Sequence, residues 1–281
     1  MKTVVIPTRN DNYGMFLAER AIQCLNSMVE VFDEVIVVDW NSPHDIPLIE
    51  QIQDYIEPTG KIRNIIVPKD FVSQNVPLNA QPCCEVLARN VGLRRANGDW
   101  IVSSNIDIIP SPFSSEHLSE DTLYAVAKYN VLENIHLIQL LPLSTNDKIS
   151  ILKANKSVLE RMKLCEEVVP SDKYSLVVGC GDFQTAHKNL WSSIRGFEEA
   201  LIYRCFADTN VMVKAAIHPG FKTSLLDVDV FHLEHKNNPY FWKKDNSTPR
   251  NNQTDAFVTY ASTKNTESWG FSNFDFQEIR I

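Results

Sequence analysis

Apolar and polar positions fall in blocks along this chain, with short hydrophobic runs separated by longer amphipathic stretches. Residues 2–6 form such a run and are closed by Pro7-Thr8-Arg9-Asn10. A run this short, rich in β-branched residues, predicts a strand buried on both faces. Residues 15–30 place Phe16, Ala21, Leu25 and Met28 at helical spacing and predict an amphipathic helix. Residues 34–38 predict a second strand ending at Asp39, and residues 62–67 a third. A long helix is predicted over 79–96, then the turn Asn97-Gly98-Asp99, then a fourth strand over 100–104. Alternating strands and helices predict a mostly parallel central sheet with helices on both faces.

The pattern is less regular farther on. Residues 122–131 alternate enough for one strand, and residues 136–143 are apolar enough for a strand or a core helix. Residues 146–173 are charged and helical in pattern, as in a solvated insertion. Residues 224–230 are β-rich and lead into Phe231-His232-Leu233-Glu234-His235. The tail over 236–265 is polar, and its Tyr240, Phe241, Trp242 and Tyr260 either anchor it or stack on sugar faces. No repeat, low-complexity tract or linker interrupts the chain.

Parallel sheets bind ligands at the carboxyl ends of their strands. Three polar clusters fall there: Pro7-Thr8-Arg9-Asn10, Asp39-Trp40-Asn41-Ser42 and Asn105-Ile106-Asp107. Together they predict a crevice of nucleotide size. Asn105 and Asp107 are two residues apart and point the same way in an extended segment. Such an oxygen pair suits a hard divalent cation and, through it, a phosphate. An ordinary polar turn could carry the same triplet, but its flanks weigh against that. No Gly-x-Gly-x-x-Gly follows the first strand and no Walker loop is present, which argues against a dinucleotide cofactor. His232 and His235 flank a Glu just after a β-rich run, a combination that favours metal. In an extended segment they face opposite sides. One is therefore expected to bind metal, His235 ahead of His232, and the other to support it.

These residues carry a resemblance. Residues 88–99, Ala-Arg-Asn-Val-Gly-Leu-Arg-Arg-Ala-Asn-Gly-Asp, resemble the helix leading into the metal-binding strand of family-two glycosyltransferases with the GT-A fold. Asn105-Ile106-Asp107 sits where that family carries Asp-x-Asp. Residues 5–10 resemble its opening strand and base-embracing loop, and residues 37–42 its second strand, whose acid contacts the nucleoside. Trp40 replaces a second acid there. Gly196-Phe197-Glu198 followed by Ala207-Asp208 resembles the Gly-Phe-x-Glu segment and its Glu-Asp motif, with Ala207 for the Glu. Residues 265–270 look like a C-terminal motif of related transferases.

The resemblance implies a single GT-A domain over 1–281, with a nucleotide-binding half at 1–110, an acceptor and catalytic half at 111–235 and a tail at 236–281. It implies transfer of a hexosyl or pentosyl group from a nucleoside-diphosphate sugar to a glycan or glycoconjugate hydroxyl, with inversion as the family default. Pro7, Thr8, Arg9, Asp39, Arg89, Asn90, Asn105 and Ile106 are then nucleotide-binding. Asp107 with His232 or His235 holds Mn2+ or Mg2+, and Asp208 is the base, with Asp182 next in line. Asp182 is also a candidate from the residues alone, because the glycines around it let a ligand approach the backbone.

Composition adds exclusions. With 281 residues, 44% hydrophobic and 22% charged, the chain has the make-up of a soluble globular protein. A net charge of −8 argues against nucleic-acid partners. Six cysteines without a Cys-x-x-Cys pair fit buried thiols in a reducing compartment. The opening apolar run is too short for a signal peptide, and no run is long enough for a transmembrane helix, so a cytoplasmic protein is expected. The sequons at Asn155, Asn246 and Asn252 matter only in a secreted chain. Two rivals remain: a sugar-nucleotide pyrophosphorylase, whose Gly-rich basic loop is missing after residue 6, and a non-catalytic carbohydrate-binding derivative.

Overall fold

The computed structural model describes residues 1–43, 46–131, 140, 142–155, 159–161, 180–203, 205–235, 250–252, 259 and 263–281. Most of the apolar run 136–143, the stretch 162–173, Val178-Gly179 and the tail aromatics Tyr240, Phe241, Trp242 and Tyr260 lie outside the described residues.

In the first half, β1 (Lys2–Thr8), β2 (Glu34–Trp40), β3 (Ile62–Val67) and β4 (Trp100–Ser104) pair in parallel in the order β4-β1-β2-β3. They alternate with helices α1 (Leu17–Val31), α2 (Leu48–Ile52), α3 (Lys69–Asn75) and α4 (Glu85–Arg95). Next come β5 (Ile108–Pro110), β6 (Thr122–Val126), β7 (Lys128–Val131), α5 (Thr145–Ala154) and β8 (Leu159–Arg161). The chain continues through β9 (Cys180–His187), α6 (Lys188–Ile194), α7 (Ala207–Ile217), β10 (Lys222–Leu225), β11 (Val230–Leu233) and β12 (Gln277–Arg280).

The main sheet has eight strands in the order β10-β6-β9-β4-β1-β2-β3-β12, with β9 and β12 antiparallel to their neighbours. Side-chain alternation sorts the strands onto two cores. Val4, Ile6, Val35 and Val37 pack under α1 and α2, whereas Val5, Ile36, Val38 and Trp40 pack under α4, α6 and α7. Helices cover both faces, which is why these strands are apolar throughout.

A smaller sheet, β5-β11-β7-β8, begins at the carboxyl end of β4, since Asn105-Ile106-Asp107 joins β4 to β5. The sequence pattern treats 122–131 as one strand. The structure divides it at Ala127, sending β6 to the main sheet and β7 to the smaller one, with a register shift between Ala125 and Val126. The long helix predicted from 79 begins only at Glu85, because residues 77–84 contain Pro77 and Pro82 and form turns. β1 and β2 extend through Thr8 and Trp40, so part of each polar cluster lies inside its strand.

Candidate active site

Asp107 is pinned where the two sheets meet. Its carbonyl accepts from the N–H of Leu233 at 2.9 Å, so the end of β11 rests against the Asn105-Ile106-Asp107 turn. One ligand atom each from Asp107, His232 and His235 lies within 4.8 Å of the others. His232 Nε2 is 3.7 Å from Asp107 Oδ1, and His235 Nε2 is 3.4 Å from Oδ2.

The expectation that strand alternation separates the two histidines is corrected here. β11 stops at Leu233, and the His235 ring lies beside that of His232, 5.7 Å between centroids. Gly14 makes room for it: a Cβ there would stand 2.4 Å from His235 Nδ1, and its φ of +72° suits glycine. The Tyr13 ring meets His235 edge to face.

Burial alone would raise the Asp107 carboxyl, but His232, Arg20 and His235 pull it well below the usual carboxylate range. Burial would lower His232, and Asp107 and Glu234 instead raise it to about 9. Asp107 Oδ1 is buried with no hydrogen-bond partner. One carboxylate and two imidazoles with an orphaned oxygen among them form a donor set that fits a divalent cation of Mn2+ type.

A second cluster adjoins the first. Asn105 Nδ2 donates to Asp182 Oδ1 at 2.7 Å, and Lys128 pairs with the other carboxylate oxygen. Arg89 donates to Ser103 Oγ at 2.6 Å, to the Ser104 carbonyl at 3.0 Å and to the Asn105 side-chain oxygen. Asp208 stands in the first turn of α7 and packs on Gly181, where a Cβ would come 2.3 Å from its own. Helix-end geometry predicts a slightly acidified Asp208. Burial and the charge of Asp182 instead raise it, despite the Thr209 N–H that opposes them. The two clusters touch electrostatically, for Asp182 helps to raise His232 and Lys128 helps to lower Glu234.

The nucleoside-side candidates are arranged differently. Asp39 is buried, with Oδ1 accepting from Ser42 Oγ and Oδ2 from the Leu48 N–H at 2.9 Å. Burial raises its carboxyl. Arg9 Nε donates to the Asn41 carbonyl at 2.9 Å, and the Asn10 N–H to Ser42 Oγ at 2.8 Å, so the loops after β1 and β2 are stapled together. Thr8 Oγ1 is buried without a hydrogen-bond partner, and Pro7 is part of β1. The Ile106 side chain sits in the α1-side core.

The Asn90 side chain is engaged within the fold. Its amide donates to the Phe197 carbonyl at 2.8 Å and to Glu199 at 3.0 Å, and its oxygen accepts from the Phe197 N–H at 2.8 Å. The 265–270 motif completes that clamp: Asn265 bonds the carbonyls of Arg195 and Phe197, and Gly270 lies against the Asn90 backbone. Sequence reasoning did not single out Arg20, Lys128, Tyr13 or Gly14. Arg20 had a signal, a charged residue between Leu17 and Cys24 on the buried face of α1.

Compared by sequence, the chain matches no family model and no curated protein. Among solved structures it is similar to GalNAc-T7 crystallised with UDP, GalNAc and Mn2+, at 11% identity and a TM-score of 0.56, over 92% of this chain and 47% of that one. Thus it spans just under half the length of GalNAc-T7. Weaker overlays are found with S. aureus TarS 1–349 (18% identity, 83% and 60% of the two chains, TM-score 0.46). Another is with glucosyl-3-phosphoglycerate synthase of Mycobacterium tuberculosis in complex with Mg2+ and UDP (16% identity, 85% and 73%, TM-score 0.43). Among the described residues no helix is long and apolar enough to cross a membrane. The sheet order, the helical layers on both faces and the GalNAc-T7 overlay agree: this chain has the GT-A fold of the nucleotide-sugar glycosyltransferases.

Proposed function

We propose that the protein is a metal-dependent glycosyltransferase, moving a hexosyl or pentosyl group from a nucleoside-diphosphate sugar to a hydroxyl of a glycan or glycoconjugate. One observation carries this reading: the Asp107, His232 and His235 donors adjoin a second, carboxylate-bearing cluster at the strand ends of a GT-A sheet. The UDP and metal ions bound to GalNAc-T7 and the mycobacterial synthase support it as analogy.

In this reading Asp107, His232 and His235 hold Mn2+ or Mg2+. A cation held there would supply positive charge to neutralise the diphosphate leaving group. Thr8, Arg9 and the corner built by Asp39 receive the nucleoside, with the Pro7 and Ile106 backbones as walls. Arg89 fixes Asn105 in place, and Asn90 holds the helix that carries Arg89. Asp208 takes the acceptor proton as the hydroxyl attacks the anomeric carbon, giving inversion. Burial raises its carboxyl, and basicity nearer the working pH favours proton abstraction. Asp182, engaged by Lys128 and Asn105, orients the transferred sugar.

A non-catalytic carbohydrate-binding role is the second reading. Ala207 and Asn105 favour it, because both lack the carboxylate that the resemblance leads one to expect. Two measurements separate these readings. A thermal-shift panel of nucleoside diphosphates with and without Mn2+ should show metal-dependent stabilisation, about 2.7 kcal/mol at 100-fold excess over Kd. Slow hydrolysis of the matching nucleotide sugar should accompany it. Hydrolysis would remove the binding-module reading, and no shift with any nucleotide would reject the transferase reading.

A further inference from the structure

Nothing in the proposed reaction uses Arg20, yet it is the most enclosed charge in the site, with 0% of its surface exposed. Its Nη1 donates to Asp107 Oδ2 at 2.9 Å, and its Nη2 donates to the Tyr13 carbonyl. Asp107, Tyr13 and Glu19 are the negative or polar groups that face it. A neutral donor could close the loop over 9–16 just as well. A full positive charge on a metal-ligating carboxylate has a further consequence.

Asp107 is the one carboxylate of the three donors, and Arg20 already balances it. The two imidazoles must be neutral to ligate. A divalent cation arriving alone would meet no net negative charge from its ligands. It would share Asp107 with a guanidinium in a pocket where the three side chains are 10% exposed or less, so repulsion is weakly screened. Glu234, the next acid outward, is 35% exposed and sits on the far nitrogen of His232. A diphosphate brings the missing negative charge.

We propose that Arg20 is a positioning residue that makes cation uptake conditional on the diphosphate, so that the cation enters as its complex with the two phosphates of the donor. This rests on the metal reading of Asp107, His232 and His235. Because the same guanidinium holds the Tyr13 carbonyl, loading is also felt in the loop that carries Arg9 and Asn10. By linkage, the cation strengthens diphosphate binding by the factor with which the diphosphate strengthens cation binding.

The test uses the full chain and follows Mn2+ by electron paramagnetic resonance and calorimetry, with and without pyrophosphate, corrected for the Mn2+–pyrophosphate complex in free solution. Pyrophosphate should tighten Mn2+ binding about tenfold or more, within the range usual for coupled sites. Arg20→Met should tighten Mn2+ binding in the absence of pyrophosphate about tenfold and shrink the gap, whereas Arg20→Lys, which keeps the charge, should leave Mn2+ alone weakly bound. The proposal is overturned if wild type binds Mn2+ within about twofold with and without pyrophosphate, a comparison that stands even if Arg20→Met does not fold. It is also overturned if folded Arg20→Met shows the wild-type gap, which leaves the metal site itself intact. Mn2+ that binds under no condition removes the metal reading as well.

Discussion

Two buried carboxylates mark the carboxyl ends of strands in this sheet, and their surroundings are opposite. Asp39 is 1% exposed and Asp107 is 5% exposed. Asp39 is met by neutral donors, a hydroxyl and the N–H at the start of α2, and burial raises it. Asp107 is met by a guanidinium from α1 and by two imidazoles, and it is held well below the usual range with one oxygen lacking a hydrogen bond. Both oxygens of Asp39 are taken up in building a corner. Asp107 is kept ionised by charges that leave one oxygen without a hydrogen bond, a state that suits the proposed role of metal ligand. Sequence position alone does not separate them; the helix delivered against each one does.

Substitution should split the pair. Asp107→Asn is expected to abolish Mn2+-dependent thermal stabilisation and to lower donor turnover by about 10³-fold. It strands Arg20 as a buried unpaired charge, so chemical denaturation should also show a loss of roughly 3 kcal/mol. Asp39→Asn keeps an acceptor for Leu48 and should cost about 1 kcal/mol while the Mn2+ response survives. A stable Asp39→Asn protein that no longer binds nucleotide would move Asp39 from scaffold to direct contact.

The second comparison is between Asp208 and Asp182. Asp208→Asn should lower kcat by about 10²–10⁴ with donor binding little changed, since it removes proton abstraction alone. Asp182→Asn should act mainly on KM, because its carboxylate is bound by Lys128 and Asn105. If steady-state kinetics give the reverse pattern, the base is Asp182.

The sequence exposed one of these two corners better than the other. The parallel strands were legible because layers on both faces force continuous apolar runs, and Asp107 stood out between two such runs. The histidine pairing was not, because where β11 ends depends on its contact with Asp107, a partner more than a hundred residues away. Lys128 was hidden because one alternating run serves two sheets. The capture of Asn90 by the 195–199 segment was not legible either, because only the fold brings that segment there. Arg20 was visible as an oddity on an apolar helix face, and only the structure supplies its partner.

Two glycines with the same φ extend the comparison to the backbone. Gly14 and Gly60 both have φ of +72°, but a Cβ at Gly14 meets His235 whereas one at Gly60 meets nothing within 4 Å. Gly60→Ala should cost about 1 kcal/mol in stability from the left-handed backbone alone, with Mn2+ affinity unchanged. Gly14→Ala should cost more, because the clash adds to the same backbone strain, and should also weaken Mn2+ as His235 is pushed aside. Equal Mn2+ affinity in the two variants would show that His235 is not a ligand.

The smallest effect concerns a buried charge outside the site. Lys214 on α7 lies 3.6 Å from Glu198 and donates to the Gly196 carbonyl at 3.2 Å, and burial pushes it down to about 8 from the ordinary 10.5. Its folded value lies below its unfolded value, so between about pH 8 and 10.5 the unfolded chain holds more protons than the folded one. Stability contributed by this group therefore rises with pH across that window, by at most about 1.4 kcal/mol per pH unit, and is flat below it. Urea unfolding of wild type and Lys214→Met at pH 7.5 and 9.5 isolates the group, because other titrations are common to both. Wild type should gain on the variant as the pH rises. Lys214 would then behave as Asp39 does, with burial prevailing over its partners, whereas at Asp107 the partners prevail. A flat or falling difference would mean that Glu198 compensates Lys214 fully.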